Sequence, residues 1–165
     1  MEVLDRCHQE KQPFRLVFLG AGFDIKEKKR IEGLVPDHLK SSVEVTDRFS
    51  RQEALGMLQK AHVLLGIAYG EMKGIPSSKL YEYLAIGKPV LLCPTDGDVM
   101  ERILVEVGLG FFAKDAVEGV SKILELQNLY RTNAEVSRLK ERSREKVLGY
   151  SRFRQLENLA DHLGK

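Results

Sequence analysis

Five short apolar runs, separated by stretches of helical periodicity, constrain this chain more than any other feature. "FRLVFLG" (14–20) is rich in branched and aromatic residues and ends in a Gly-Ala-Gly turn, "SVEVTD" (42–47) alternates, and "HVLLGIA" (62–68), "PVLLCP" (89–94) and "GFFAKD" (110–115) complete the set. The segments between them read as helices. "DIKEKKRIEGL" is polar; "SRQEALGMLQKA" opens on Ser50 with Glu53 three places on, a capping box; residues 77–86 are closed by Gly87; and "DVMERILVEVG" covers 98–108. Strands alternating with helices at this spacing predict an α/β domain with a parallel sheet covered on both faces. From Ala116 onward only helical periodicity remains, through Val117, Val120 and Leu124, then Val136, Leu139 and Val147, then Phe153, Leu156, Leu159 and Leu163.

A length of 165 residues suits one domain, 1–165, with a real core. Charge narrows the partners. A net charge of +2 from 26 basic and 24 acidic side chains gives no strong field for nucleic acid, and the basic cluster Lys26, Lys28, Lys29, Arg30 is interleaved with Asp24, Glu27 and Glu32, as on a solvated helix face. Cys7 and Cys93 show neither metal spacing nor a disulfide framework, so no metal is expected and a reducing, cytoplasmic setting fits. No run approaches the ~20 apolar residues of a membrane span, and the first residues lack a signal-type segment.

In a parallel sheet of this kind ligands bind beyond the carboxyl ends of the strands, which directs attention to the loops after Gly20, after Asp47 and from Ala68 to Lys79. "LGAGFDI" fails as a dinucleotide fingerprint because the third glycine would have to stand at Ile25; a tight strand-to-helix turn explains it. "GIPSSKLYE" is the stronger candidate. A helix beginning near Ser77 or Ser78 turns its first amides outward with partial positive charge, which suits a phosphate, and the hydroxyls and Lys79 add donors. Glu82 follows one turn later, where a carboxylate can accept both vicinal hydroxyls of a ribose. The plain alternative is a serine-capped surface helix with a Lys/Glu pair. Arg48 and Phe49 follow a strand on the same edge, where they could touch a base or simply form a loop. Asp96 and Asp98 in "TDGD" read as a turn and helix cap, and His62 as structural. No catalytic residue is assigned.

"GIPSSKLYEYLAIGKPVLLCPTDGDVMERILVEVGLGFF" resembles the signature region of the retaining glycosyltransferases of family 4, the group 1 type with two Rossmann-like halves. "VEVTDRFSRQEALGMLQKAHVLLGIA" is similar to the elements preceding that signature, and "YSRFRQLENLADHL" to the family's closing helix. The resemblance implies a Rossmann-like parallel sheet of about five strands with a helical C-terminal segment, forming the half that binds the nucleotide-diphosphate sugar. It further implies that amides around Ser77, Ser78 and Lys79 hold the diphosphate, that Glu82 holds the ribose, and that Arg48 and Phe49 lie near the base, with no cofactor and no metal required.

Two departures stand beside it. The family often carries a glutamate eight residues before the ribose carboxylate, and Gly74 occupies that place, leaving the donor-sugar contact open. The chain also begins at what looks like the helix after the donor half's first strand, so that strand and the N-terminal acceptor half are expected to lie outside it. In the order 3-2-1-4-5-6 the absent strand is central, so the gap should close within the chain or be filled by a second copy as a homodimer. The resemblance implies transfer of a sugar to a glycan or lipid-linked acceptor in polysaccharide biosynthesis, with peripheral membrane association of the full-length enzyme. The alternatives are a non-catalytic interaction module of doubly wound fold, or half of a nucleotide-sugar epimerase.

Overall fold

Each apolar run becomes a strand, trimmed to three residues. The computed structural model describes residues 1–68, 73–131, 141 and 144–163, with Met1–Lys60 and Ala61–Lys165 forming two compact units. In the first, α1 (Glu2–Gln9) precedes β1 (Leu16–Phe18), α2 (Ile25–Gly33), β2 (Val43–Val45) and α3 (Arg51–Lys60). β1 and β2 pair in parallel, Leu16 opposite Val43 and Phe18 opposite Val45. Leu4 of α1, Val35 and Leu39 form a buried cluster, and Phe14, Leu16 and Val43 pack against it, so the strand residues reach a core shared with the first helix.

The Gly-Ala-Gly segment is the tight turn its sequence suggests. Gly20 donates its amide to the Thr46 hydroxyl at 3.0 Å and Gly22 donates to the Thr46 carbonyl at 2.8 Å, which ties the end of β1 to the end of β2. A Cβ on Gly22 would stand 2.8 Å from that carbonyl oxygen, closer than any side chain tolerates. Glycine is there for proximity to its own neighbouring strand.

The second unit runs β3 (Leu64–Gly66), α4 (Ser78–Ile86), β4 (Val90–Leu92), α5 (Val99–Val107), β5 (Gly110–Phe112), α6 (Ala116–Arg131) and α7 (Arg152–Leu163), with residues 144–149 also helical. Its sheet is parallel in the order β3-β4-β5, with Leu64 opposite Val90 and Val90 opposite Gly110. β4, flanked on both sides, is buried along its whole length, as a central parallel strand must be. Leu80 and Leu84 of α4, Leu104 and Val107 of α5 and Leu126 of α6 are almost fully enclosed. These aliphatic side chains remove the apolar faces of the three helices from water, each contributing about 1.5–3 kcal/mol.

The chain is thus α/β with parallel pairing, but the expected single sheet of about five strands is found as two sheets of two and three strands. The ladders divide as the units do: β1 pairs with β2, β3 with β4 and β4 with β5, and among the described residues no ladder joins the two sets. The C-terminal stripe is also shifted. Val120, Ile123 and Leu126 face inward on α6, whereas Val117 is exposed in the capped first turn; Phe153 and Leu156 of α7 are exposed as well. Val136 and Leu139 lie outside the described residues.

Candidate functional site

The first-turn amides of a helix need acceptors, and four of the five helices that follow a strand take theirs from a nearby side chain. Asp24 accepts the Lys26 and Glu27 amides of α2. Ser50 and Glu53 close the expected capping box on α3, the Glu53 amide bonding to Ser50 Oγ at 3.3 Å and the Ser50 amide to Glu53 Oε2 at 2.9 Å. Asp96 accepts from Met100 and Glu101 of α5, and Asp115 from Val117 and Glu118 of α6. Each of these ends is already occupied by its own chain.

The fifth, α4, differs. Ser77 stands at its N-cap in extended conformation without a side-chain cap, and the Ser78 and Lys79 amides have no acceptor among the described residues; Leu80 donates to the Ser77 carbonyl. Ser78 and Lys79 are exposed and Ser77 is half-buried. Two amides without an acceptor among the described residues, the positive end of a nine-residue helix and the Lys79 side chain therefore lie together.

That place is a cleft of about 310 Å³ within the second unit, lined by Leu65–Ala68 at the end of β3, by Ser77–Leu80 and Tyr83 of α4, and by Val90 and Met100. It lies at the small end of the range for ligand sites, large enough for a diphosphate and part of what it carries. Apolar side chains form much of its wall, which lowers the local dielectric and strengthens any charge interaction at the amides. Tyr83, one turn past Lys79, donates its hydroxyl to the Leu65 carbonyl at 3.4 Å. Burial first, and the neighbouring Glu82 charge second, push this phenol up from its ordinary pKa, so it remains a neutral donor at physiological pH.

The β4–α5 turn borders the segment leading into α4. The Gly74 amide reaches Asp98 Oδ2 at 2.5 Å and Lys73 Nζ reaches the Asp96 carbonyl at 2.6 Å. Burial pushes the Asp96 carboxyl up, but the amides of Met100, Asp98 and Glu101 that bond to it outweigh burial and hold its pKa below the usual carboxylate range.

Of the residues expected from sequence, Ser77, Ser78 and Lys79 line the cleft together. Glu82 is half-buried on α4 and does not line it, and Gly74 is exposed beside the β4–α5 turn. Arg48 and Phe49 belong to the first unit, exposed between β2 and α3, where the Arg48 guanidinium lies 5.2 Å from the centre of the Phe23 ring. Tyr83 escaped the sequence reading although it stands four residues after Lys79, on the same helical face. Asp98 was read as turn and helix cap, in a loop that also faces the crevice. His62 is in a structural contact, its ring edge-on to Tyr130 at 4.9 Å.

Among the described residues no group of three or more His, Cys, Asp and Glu side chains could hold a metal ion, and no helix is long and apolar enough to cross a membrane. Comparison with protein families, curated proteins and solved structures found no match to this chain.

Proposed function

We propose that this chain is the nucleotide-sugar donor-binding part of a retaining glycosyltransferase, as its resemblance to the family 4 signature implies. The observation that carries this reading is the uncapped start of α4, whose Ser78 and Lys79 amides open on an apolar-walled cleft beyond the end of β3 while the neighbouring helix starts are occupied. A diphosphate bridges those amides and the Lys79 ammonium, with the Ser77 and Ser78 hydroxyls as further donors, and the ribose extends out of the cleft to reach Glu82, which does not line it. Catalysis in the whole enzyme follows from orienting the sugar diphosphate and stabilising negative charge on the departing phosphates, a task for fixed dipoles.

The strand pairing agrees with this. Taken unit by unit, β2-β1 matches the 3-2 part and β3-β4-β5 the 4-5-6 part of the order 3-2-1-4-5-6. The acceptor half is a separate domain of the whole enzyme in this reading. The full-length enzyme acts on a glycan or lipid-linked acceptor in the cytoplasm, at or near a membrane.

Calorimetric titration with uridine, guanosine, cytidine and adenosine diphosphates tests the reading. At least one is expected to bind, and Lys79→Glu, which places a negative charge at the helix start, is expected to weaken binding about tenfold or more. Silence towards all four nucleotides, as from a pure interaction module, would overturn it. An epimerase half would bind nucleotide as well, and turnover of a nucleotide sugar without an acceptor separates that case.

A further inference from the structure

Asp98 stands at the N-cap position of α5 yet makes no cap bond there. The amides of Met100 and Glu101 go instead to Asp96, which the Asp98 amide also joins at 3.1 Å. The Asp98 carboxylate is turned away from its own helix, to the segment that enters α4, where it accepts the Gly74 amide at 2.5 Å. Lys73, next to Gly74, is held against the same turn through the Asp96 carbonyl.

Gly74 has φ of +73°, in the left-handed region that glycine enters at little cost. Between it and Ser77 lie Ile75 and Pro76. Proline fixes its own φ and confines the residue before it to extended conformations, so this step is stiff. Fixing the Gly74 amide therefore fixes the direction in which the chain arrives at Ser77, and with it the aim of the Ser78 and Lys79 amides.

We propose that Asp98 is a positioning residue for the anion site of α4: it clamps Gly74 in its left-handed turn and so aims the Ser78 and Lys79 amides into the cleft. The assignment deepens the donor-binding reading and rests on it. Asp98 acts through Gly74 and touches no ligand.

The test is calorimetric titration of the wild type, Asp98→Asn and Asp98→Ala with the nucleoside diphosphate that the wild type binds best, with a thermal unfolding curve for each protein. Asparagine keeps an acceptor and removes the charge, so its affinity is expected to equal or exceed that of the wild type; alanine is expected to bind about tenfold more weakly, a loss of geometry of the kind that misplacement produces. The alanine unfolding curve should stay close to the wild-type curve, because the α5 cap rests on Asp96. Should Asp98→Ala not fold, Gly74→Ala replaces it: a Cβ there meets nothing within 4 Å, so lost affinity reports the turn rather than a clash. Wild-type affinity in the alanine variants, or a loss in Asp98→Asn as large as in Asp98→Ala, overturns the positioning role while leaving the donor site intact. A wild type that binds no nucleoside diphosphate overturns the donor site and this role with it.

Discussion

Thr46 shows how much one buried residue can organise. Its hydroxyl and carbonyl together hold the Gly20 and Gly22 amides, so Thr46→Val leaves the Gly20 amide without its acceptor. A loss of about 1–3 kcal/mol is expected in urea unfolding, the cost of an unsatisfied polar group, whereas an unchanged midpoint would show that water replaces the hydroxyl. Tyr150 offers a second test at this scale. Burial, and next the hydrogen bond it donates to Glu106 at 2.5 Å, push its pKa from 10.0 up to about 12. A phenol whose pKa is higher in the folded chain contributes stability that is complete below pH 10 and lost between pH 10 and 12. Alkaline unfolding curves should fall less steeply across that window in Tyr150→Phe than in the wild type; parallel curves would remove the group from the account.

Helix ends are where the elements of this chain were most legible and also where they misled. The Ser50–Glu53 box and the stop of α4 at Gly87 depend on contacts within a few residues, and both stand as the sequence spells them. Strand cores were legible for a similar reason, since short branched runs have few other places to go. The division of labour between Asp96 and Asp98 was not, because it turns on the long-range bond to Gly74 that no local pattern records. The two-sheet pairing was likewise beyond local patterns, which identify a strand but not its neighbour. Asp96→Ala should lower stability by about 0.5–2 kcal/mol through the lost α5 cap. The sign with pH follows from the lowered Asp96 pKa: a carboxyl held down in the folded chain stabilises it above the unfolded-state pKa and ceases to as pH falls through the folded value. The difference between wild type and Asp96→Ala should therefore shrink in acid, and a difference constant from neutral to strongly acidic pH would contradict the cap.

At the scale of the whole molecule, β1, β2, β3 and β5 each pair on one side only among the described residues, and an unpaired strand edge is a template for further pairing. Sedimentation tests whether a second copy pairs with such an edge: a dimer that dissociates on dilution supports it, and a monomer at all concentrations contradicts it. The function depends on a narrower point, that the start of α4 is an anion site. It is tested most directly by following backbone amide resonances while a nucleoside diphosphate is added, with the parent nucleoside as the control. The account predicts that the Ser78 and Lys79 amides shift first and furthest, saturably, with the diphosphate and not with the nucleoside. Resonances that stay in place while other parts of the chain respond, or that remain unmoved throughout, would contradict it.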